Sequence, residues 1–416
     1  MARGSRLAVV VTCAVALLAA LFAAPSQAQS SKWMVGWATS HVFQDNRQTF
    51  TLGAFPLQSV RQQTIRQIVE TELEGSALRV RLSNSQGGQP VHFGHATVGI
   101  STAGPVIESG TLRHLSFNGG EQSLTLAPGQ VAVSDEVDLT VTRGDHLAIS
   151  LYVVKADGPY SGHMESKNVG YYAQPLTGDL TDDLVSPLLN TPTPAWSWVQ
   201  AVDVLSTPRP VIVVLGDSVS DGFESPEVRQ EWPGRLAERL GSQAVVINNA
   251  LDANIATPTG CALCGPSLNT RLHHDAISLP GVTHVIVFLG VNDVTQLVPP
   301  ARITDAYAEA ARRLHAAGIE MIISTLTPRY DVALGWDPEV HGPNRLRVNN
   351  WIRTNEALFD GVVDIDKAIR WDVDPNRIFP PYDSGDNSHP NIVGMQVLAE
   401  TVDLHLLDVS TSGSTG

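Results

Sequence analysis

Four polar residues in the second half of the chain have the types that acyl transfer requires. Ser218 ends the motif GDS at 216–218, Asn292 lies in GVND at 290–293, and Asp386 and His389 lie in DNSHP at 386–390. A serine hydroxyl can attack a carbonyl carbon when an imidazole removes its proton and a carboxylate orients that imidazole. A side-chain amide can stabilise the resulting oxyanion. These types predict serine-dependent hydrolysis, with Ser218 as nucleophile and His389 as base.

Each motif also has an ordinary structural interpretation. Serine and aspartate often cap helices, Asn-Asp is common in turns, and a proline such as Pro390 can begin a helix. The common position of the three motifs favours chemistry, because each follows a strand or precedes a helix where the loops of a parallel sheet converge. Asp383 is an alternative to Asp386 as the carboxylate that orients His389.

The segment after Pro210 alternates apolar runs with helical patterns. Runs that predict strands buried on both faces lie at 211–215, 245–247, 285–289, 321–323 and 362–363. Ile303, Tyr307 and Leu314 recur at helical spacing before Gly318, which can end a helix. The pattern predicts a doubly wound parallel α/β domain over residues 210–408, with its site at the carboxyl ends of the strands.

The segment before Pro210 has the period of antiparallel strands. Leu78, Val80 and Leu82 alternate with arginines, the run at 147–153 repeats the pattern, and glycine-containing turns separate such runs. We therefore expect an N-terminal antiparallel β-sandwich domain over residues 32–205. Residues 409–416 are predicted to form a flexible tail.

The first residues have the features of an export signal. Arg3 and Arg6 precede an apolar run from Leu7 to Ala24, and Ser26-Gln27-Ala28 supplies small residues for cleavage after Ala28. The run is short for a membrane span and no stop-transfer charges follow it. Residues 1–28 are thus expected to be a signal peptide, and the mature protein is expected to be secreted to the extracellular space or the cell envelope, without stable membrane insertion.

The charge of the chain argues against a nucleic-acid partner. The formal net charge is −15, and loss of the two signal arginines would change it to −17, whereas phosphate binding needs a basic surface. The sequence also lacks a His-Glu-x-x-His motif and a phosphate-loop lysine. We therefore expect neither a metal nor a cofactor.

Two cysteines remain once the expected signal has been removed. Cys261 and Cys264 are three residues apart, a spacing that suits a local disulfide in an oxidising compartment. A redox pair or half of a zinc site has the same spacing, although a zinc site would need a second pair of ligands. We expect a structural disulfide.

The three motifs resemble blocks I, III and V of the GDSL/SGNH hydrolase family, over residues 210 to 407. The N-terminal segment, with LRVRLSN at 78–84, is similar to the accessory domain of secreted two-domain members. The resemblance implies a three-layer α/β/α, flavodoxin-like hydrolase domain that cleaves esters without a metal. It also implies an oxyanion hole formed by the Ser218 N–H, the Asn292 amide and a backbone N–H of block II.

Block II departs from the family pattern. It reads NNALDAN at 248–254, so Ala253 stands where the family usually has glycine. Alanine keeps the N–H, but its methyl group costs roughly 1 kcal/mol or more if the position requires a positive φ. Asn254 is an alternative donor at this point.

The loop after the strand at 321–323 lies on the same edge as the motifs. Tyr330 and Trp336 are candidates to wall the substrate pocket, although a long surface loop is the alternative interpretation. The function expected is hydrolysis of a small-molecule ester or an acylated polysaccharide, with short acyl or acetyl groups favoured. Two alternatives are a glycan acyltransferase or deacetylase, and a catalytically degenerate carbohydrate-binding protein.

Overall fold

The computed structural model describes residues 30–44, 59–163, 169–223, 225, 229–261 and 264–409. The expected signal peptide and residues 410–416 of the expected tail lie outside these ranges. The N-terminal strands are β1 (Lys32–Ala38), β2 (Val42–Gln44), β3 (Ser59–Glu70), β4 (Leu78–Ser83), β5 (Val91–Ala103), β6 (Val106–Ile107), β7 (Arg113–His114), β8 (Leu124–Leu126), β9 (Val131–Val133), β10 (His146–Asp157), β11 (Tyr160–His163), β12 (Gly170–Tyr172), β13 (Thr191–Thr193), β14 (Trp196–Ser197) and β15 (Val199–Ser206).

These strands pair antiparallel in three sheets within the described residues. One sheet has the order β1-β15-β4-β9, the next has the order β13-β12-β3-β10-β5-β6 with β7 and β8 also paired to β5, and the third joins β14, β11 and β2. In β4 the side chains of Leu78, Val80 and Leu82 are fully buried while Arg79 and Arg81 are partly exposed. The alternating sequence pattern thus correctly predicted the β-rich region.

The C-terminal region alternates strands with helices. Its strands are β16 (Val211–Gly216), β17 (Val245–Asn248), β18 (His284–Phe288), β19 (Glu320–Ser324), β20 (Gly361–Val363), β21 (Arg370–Trp371) and β22 (Asp374–Ile378). Its α-helices are α1 (Ser218–Asp221), α2 (Trp232–Leu240), α3 (Leu268–Leu272), α4 (Val291–Thr295), α5 (Pro300–Ala316), α6 (His341–Thr354), α7 (Ile365–Ile369) and α8 (Ile392–Thr401). A π-helical turn, His273–Ile277, continues α3. Among these described residues no helix has the length and apolarity needed to cross a membrane.

The central sheet is parallel and has the order β17-β16-β18-β19-β20. Buried side chains on one face pack with α2, α7 and α8, whereas those on the other face pack with α3, α5 and α6. This arrangement confirms the expected parallel α/β fold with helices on both faces of the sheet. The strand order reverses at β16, so the loops after β16 and β18 run in opposite directions. They leave a crevice between them at the carboxyl edge of the sheet.

The N-terminal and C-terminal regions share one buried apolar cluster. It includes side chains of β1, β4, β10 and β15 together with one face of the parallel sheet. At the junction, the Val35 N–H donates to the Pro280 carbonyl at 2.9 Å. Gly281, with φ +83°, brings its backbone against Met34, which a Cβ there would contact at 3.2 Å. The two regions are therefore packed together through continuous apolar contact.

A buried guanidinium lies at this junction, below the carboxyl edge of the sheet. Arg271 donates to Asp275 Oδ2 at 3.2 Å, to Ser40 Oγ at 2.8 Å and to the Gly216 carbonyl at 3.2 Å. Ser40 in turn donates to Asp275 Oδ2 at 2.6 Å. Both charged side chains are almost completely buried. Hydrogen bonds to several partners offset the cost of removing the two charges from water.

Replacing Arg271 by methionine is expected to lower the free energy of unfolding by about 3–5 kcal/mol, because the Asp275 carboxylate would be left buried and unpaired. The double variant Arg271→Met/Asp275→Asn removes both charges and should regain part of that loss. Urea unfolding followed by circular dichroism measures both. A double variant no more stable than the single variant would contradict the assignment of the loss to an unpaired charge.

Candidate active site

Ser218 lies in a tight turn between β16 and α1. The turn requires glycine at position 216, since a Cβ there would lie 2.2 Å from the Ser220 hydroxyl. Asp217 caps α1 by accepting the Val219 N–H at 3.2 Å. Ser218 is only 8% exposed. The sequence therefore places the Ser218 hydroxyl at the carboxyl edge of the sheet, where strand becomes helix.

His389 lies beside Ser218 at the carboxyl edge of the sheet. Its Nε2 lies 2.9 Å from Ser218 Oγ, and its Nδ1 lies 2.5 Å from Asp386 Oδ2. The other oxygen of Asp386 accepts the backbone N–H groups of Ser388 and His389, each at 2.8 Å. An ionised Asp386 requires the proton on Nδ1, which leaves Nε2 free to accept from the serine. The three side chains predicted from the sequence thus form one continuous hydrogen-bonded chain.

The two carboxyl groups near His389 have opposite electrostatic environments. Burial would raise the pKa of Asp386, but the hydrogen bonds from the His389 side chain and from two backbone N–H groups hold that pKa well below its usual range. Burial raises the pKa of Asp217 to about 7, although the Val219 N–H and the charge of His389 oppose the rise. Asp386 is therefore the carboxylate that is fully ionised beside the imidazole at neutral pH.

Asp383 has a different role from Asp386. Its Oδ1 accepts the backbone N–H of Gly385 at 2.7 Å and that of Asn387 at 3.1 Å. Gly385 and Asn387 both have positive φ, of 108° and 62°. Asp383 consequently fixes the turn that carries the His389 loop, and it is Asp386 that contacts the ring.

Asn292 lies in the first turn of α4, shortly after β18, at the same edge of the sheet. Its Nδ2 donates to the Asn254 carbonyl at 3.0 Å, and its Oδ1 accepts from Arg329 at 3.2 Å. Because the Arg329 guanidinium can only donate, it fixes which end of the amide carries the hydrogens. The second hydrogen of Nδ2 remains available to an oxyanion. Arg329 has no sequence motif, and its position after β19 was the signal available for it.

Ala253 adopts a backbone conformation that favours glycine, with φ 56°. The strain foreseen from the sequence is therefore present, at a cost of roughly 1 kcal/mol. The neighbouring Asp252 carboxyl has its pKa raised by burial and by the like charge of Asp221.

Asn254 is not a substitute donor. Its side chain is completely buried and donates to the carbonyls of Cys264 at 2.6 Å and Pro266 at 2.9 Å. Its Oδ1 accepts from Arg271 at 3.1 Å. Cys261 and Cys264 form the predicted disulfide, with the Cα atoms 5.4 Å apart. The Asn254 side chain therefore ties the loop that carries Ala253 to the segment that ends the disulfide loop.

The N-terminal region contributes a histidine to the same loop. His163 Nε2 lies 3.1 Å from Asp221 Oδ1, and Asp221 Oδ2 accepts the Asp252 N–H at 2.9 Å. Asp252 directly precedes Ala253. Sequence reasoning did not identify His163 or Asp221, because no local pattern marks a pair separated by 58 residues. Contacts from the N-terminal region thus reach the backbone next to the expected oxyanion donor.

An open cavity adjoins His389. It has a volume of about 620 Å³ and is lined by Phe223, Tyr330, Asp331, Val332, Ala333, Arg377, Gly385, Asp386, Asn387 and His389. The Arg377 guanidinium lies 3.8 Å from the centre of the Tyr330 ring. Tyr330 is thus on the wall, as expected, whereas Arg377 was missed because it comes from the β-hairpin of β21 and β22.

Trp336 does not line this cavity. It is 1% exposed and stacks on His341, with the ring centres 4.9 Å apart. The expectation that Trp336 walls the pocket is corrected accordingly: the ring belongs to the interior beneath the loop. An aromatic residue in a loop on the catalytic edge gives no sequence signal of which way its side chain turns.

The serine, histidine and aspartate at the carboxyl edge of the parallel sheet have the hydrogen-bonded arrangement of a Ser-His-Asp triad. Residues 214–397 match the model of the GDSL-like lipase/acylhydrolase family. This segment is accordingly a GDSL-like lipase/acylhydrolase domain.

Comparison with solved structures identifies further similar chains. A carbohydrate acetylesterase family member from Sinorhizobium meliloti is 17% identical, with 48% of this chain and 100% of that chain covered and a TM-score of 0.41. A GDSL-like lipase from Bacteroides thetaiotaomicron is 15% identical, with 47% and 87% covered and a TM-score of 0.36. Comparison with curated protein sequences gives no match.

Replacing His163 by alanine is expected to lower kcat about tenfold with a smaller change in KM, because a displaced Asp252–Ala253 backbone weakens oxyanion binding in the transition state. His41 supplies the matched control, since it is equally buried, at 4%, and bonds instead to the Val199 carbonyl at 3.0 Å. His41→Ala should leave kcat nearly unchanged. Equal losses in the two variants would refute the link between His163 and the loop.

Proposed function

We propose that the protein is a secreted serine esterase that hydrolyses carboxylic esters through an acyl-enzyme on Ser218. The observation that carries the proposal is the 2.9 Å contact between Ser218 Oγ and His389 Nε2. This distance lies within the range in which a general base removes a proton from its nucleophile. The GDSL-like family match over residues 214–397 supports the same class of reaction.

In the acylation step, His389 accepts the hydroxyl proton as Ser218 Oγ forms a bond to the ester carbonyl carbon. The tetrahedral intermediate collapses when the C–O bond to the alcohol breaks and His389 returns the proton to the leaving oxygen. Water, activated by the same imidazole, then cleaves the acyl-enzyme and releases the carboxylic acid. Asp386 orients the ring throughout and stabilises its cationic form.

The negative charge on the intermediate is assigned to donors on three loops. The backbone N–H of Ser218, the free hydrogen of Asn292 Nδ2 and the N–H of Ala253 are the proposed oxyanion donors. Asn292 is held before the substrate arrives by its bonds to Arg329 and to the Asn254 carbonyl. A donor fixed in advance stabilises developing charge without reorganisation cost.

The substrate class follows from the cavity beside His389. Its wall combines apolar side chains, among them Phe223 and Val332, with the polar groups of Tyr330, Arg377 and Asn387. A long acyl chain that covered Arg377 and Asn387 would remove their polar groups from water without forming hydrogen bonds to them, which is unfavourable. We therefore assign short acyl or acetyl esters, either of small alcohols or of polysaccharides, as substrates.

The N-terminal region is proposed to act as an accessory β-sandwich domain over residues 32–205. Side chains of β4 and β15 from one sheet, and of β3 and β10 from the next, enter the same buried cluster, as two sheets packed face to face would require. Export through the signal peptide at 1–28 fits the disulfide between Cys261 and Cys264. The proposed place of action is the extracellular space or the cell envelope.

Ser218→Ala is expected to lower kcat on a chromogenic acetyl ester by at least about 10,000-fold, and a fluorophosphonate probe should label wild type but not this variant. Asp386→Asn should cost about 1,000- to 10,000-fold, because an amide favours the wrong imidazole tautomer. Asp383→Asn is the matched control and should cost far less. Full activity of Ser218→Ala would disprove the acyl-enzyme, and a larger loss from Asp383→Asn would reassign the orienting carboxylate.

A series of p-nitrophenyl esters from acetyl to palmitoyl is expected to give the highest kcat/KM at two to four carbons, because a longer chain would cover the polar groups of Arg377 and Asn387 without bonding to them. Acetylated xylan assayed in parallel, with released acetate measured, determines whether a polymer is accepted. Adding a glycan acceptor distinguishes transfer from hydrolysis, since transfer leaves the acyl group on the sugar. A maximum at long chains would contradict the assigned substrate class.

A further inference from the structure

A cluster of histidines and carboxylates lies on the N-terminal region, apart from the active site. This group, the His95 cluster, consists of His95 on β5, His114 on β7, and Asp179 and Asp182 in the loop after β12. β5 and β7 pair antiparallel, with Thr97 opposite His114. The two histidines are therefore diagonal neighbours on one face of the sheet.

Three ligand atoms converge in the His95 cluster. His95 Nε2 lies 2.8 Å from His114 Nδ1, which lies 3.6 Å from Asp182 Oδ1, and all three atoms fall within 4.8 Å of one another. The ligands of a tetrahedral zinc ion, with bonds of about 2.0–2.1 Å, are about 3.3 Å apart. The two shorter separations differ from that spacing by about half an ångström or less, and the third separation is at most 4.8 Å. His114 and Asp182 are 49% and 63% exposed, so their side chains have room to adjust.

The other ring nitrogen of His95 is fixed by two hydrogen-bond partners, of which Thr181 is completely buried. His95 Nδ1 lies 3.0 Å from Asp179 Oδ2 and 2.8 Å from Thr181 Oγ1. Thr181 uses its own hydroxyl hydrogen on Asp179 Oδ1, at 2.6 Å. Both neighbours therefore accept from Nδ1, which must carry the hydrogen. The lone pair of His95 is consequently on Nε2, the nitrogen that faces His114 and Asp182.

This arrangement reproduces the outer shell of metal-binding histidines. A histidine that ligates a metal usually donates its second N–H to a carboxylate, which fixes the tautomer and raises the basicity of the ligating nitrogen. Asp179 supplies that carboxylate here. A surface histidine without a ligand does not require a carboxylate and a hydroxyl that both accept from Nδ1 and so leave the lone pair on Nε2.

The loop that carries the two aspartates is held in place by buried groups. Arg66 is completely buried on β3 and donates to the Asp183 carbonyl at 2.8 Å. The Thr97 hydroxyl donates to the Thr181 carbonyl at 2.9 Å. Asp179 and Asp182 are thus presented to His95 by a loop anchored at several points. A ligand set that is already assembled loses little conformational entropy when an ion binds.

We propose that the His95 cluster binds a divalent transition-metal ion, with zinc as the resident species. His95 Nε2, His114 Nδ1 and an Asp182 oxygen are the protein ligands, and water completes the coordination sphere. Two imidazoles and one carboxylate favour zinc over calcium or magnesium, which prefer oxygen ligands. The ion would join β5, β7 and the loop at 179–182, and it would also neutralise the charges of the two carboxylates.

The test is zinc binding to the untagged protein, measured by isothermal titration calorimetry after treatment with a chelator. Wild type should bind one more zinc ion per chain than His114→Ala or Asp182→Ala, or bind it at least about tenfold more tightly. Asp179→Asn should weaken the same binding event about 10- to 100-fold, as expected for an outer-shell partner. Co²⁺ substitution should give visible d–d absorption in wild type that His114→Ala lacks.

The matched control is His92→Ala. His92 also lies on β5, with its Nδ1 bonded to Thr125 Oγ1 at 2.8 Å, and its loss should leave zinc binding as in wild type. Retained esterase activity in every variant would establish that the fold is intact, since none of these residues is in the catalytic machinery. Equal zinc stoichiometry and affinity in wild type and His114→Ala would overturn the proposal, and would identify the histidine pair as a metal-free hydrogen bond.

Discussion

One buried cation, the Arg271 guanidinium, is the constraint on which the rest of the site depends. Its donors reach the Gly216 carbonyl close to Ser218, the Asn254 side chain in the loop that carries Ala253, and the Ser40 hydroxyl of the N-terminal region. A buried charge is tolerated only when nearly every donor has a partner. Meeting that requirement brings three distant parts of the chain to fixed positions around a single planar group.

The candidate active site is consequently held by hydrogen bonds from two sides. From below, Arg271 fixes the turn before Ser218 and the side chain of Asn254. From the side, Arg329 orients the Asn292 amide, while the pair of His163 and Asp221 holds the Asp252 N–H. Hydrogen bonds, rather than apolar packing, therefore set the relative positions of the proposed oxyanion donors on Ser218, Asn292 and Ala253. This explains how a strained alanine at position 253 is kept in a conformation that glycine would adopt freely.

Much of this architecture is encoded locally. The apolar runs at 211–215 and 285–289 predicted parallel strands, and the motifs at their ends predicted which side chains converge. Local patterns did not reveal which buried polar groups pair across the fold, because Arg271 and Ser40 are separated by 231 residues. Local patterns also failed to predict the burial of Trp336, because its loop has no regular hydrophobic periodicity. The family resemblance located block II but did not indicate that Asn254 faces inward.

The apolar cluster shared by the two regions has a consequence for how the chain folds. Strands β1 and β15 lie against the same buried surface as one face of the parallel sheet. Cutting the chain just before β16 would uncover that surface to water, with a free-energy penalty of about 25 cal/mol for each Å² of apolar area. The segment that carries the hydrolase signature therefore shares its apolar interior with the β-rich half, which covers one face of the parallel sheet.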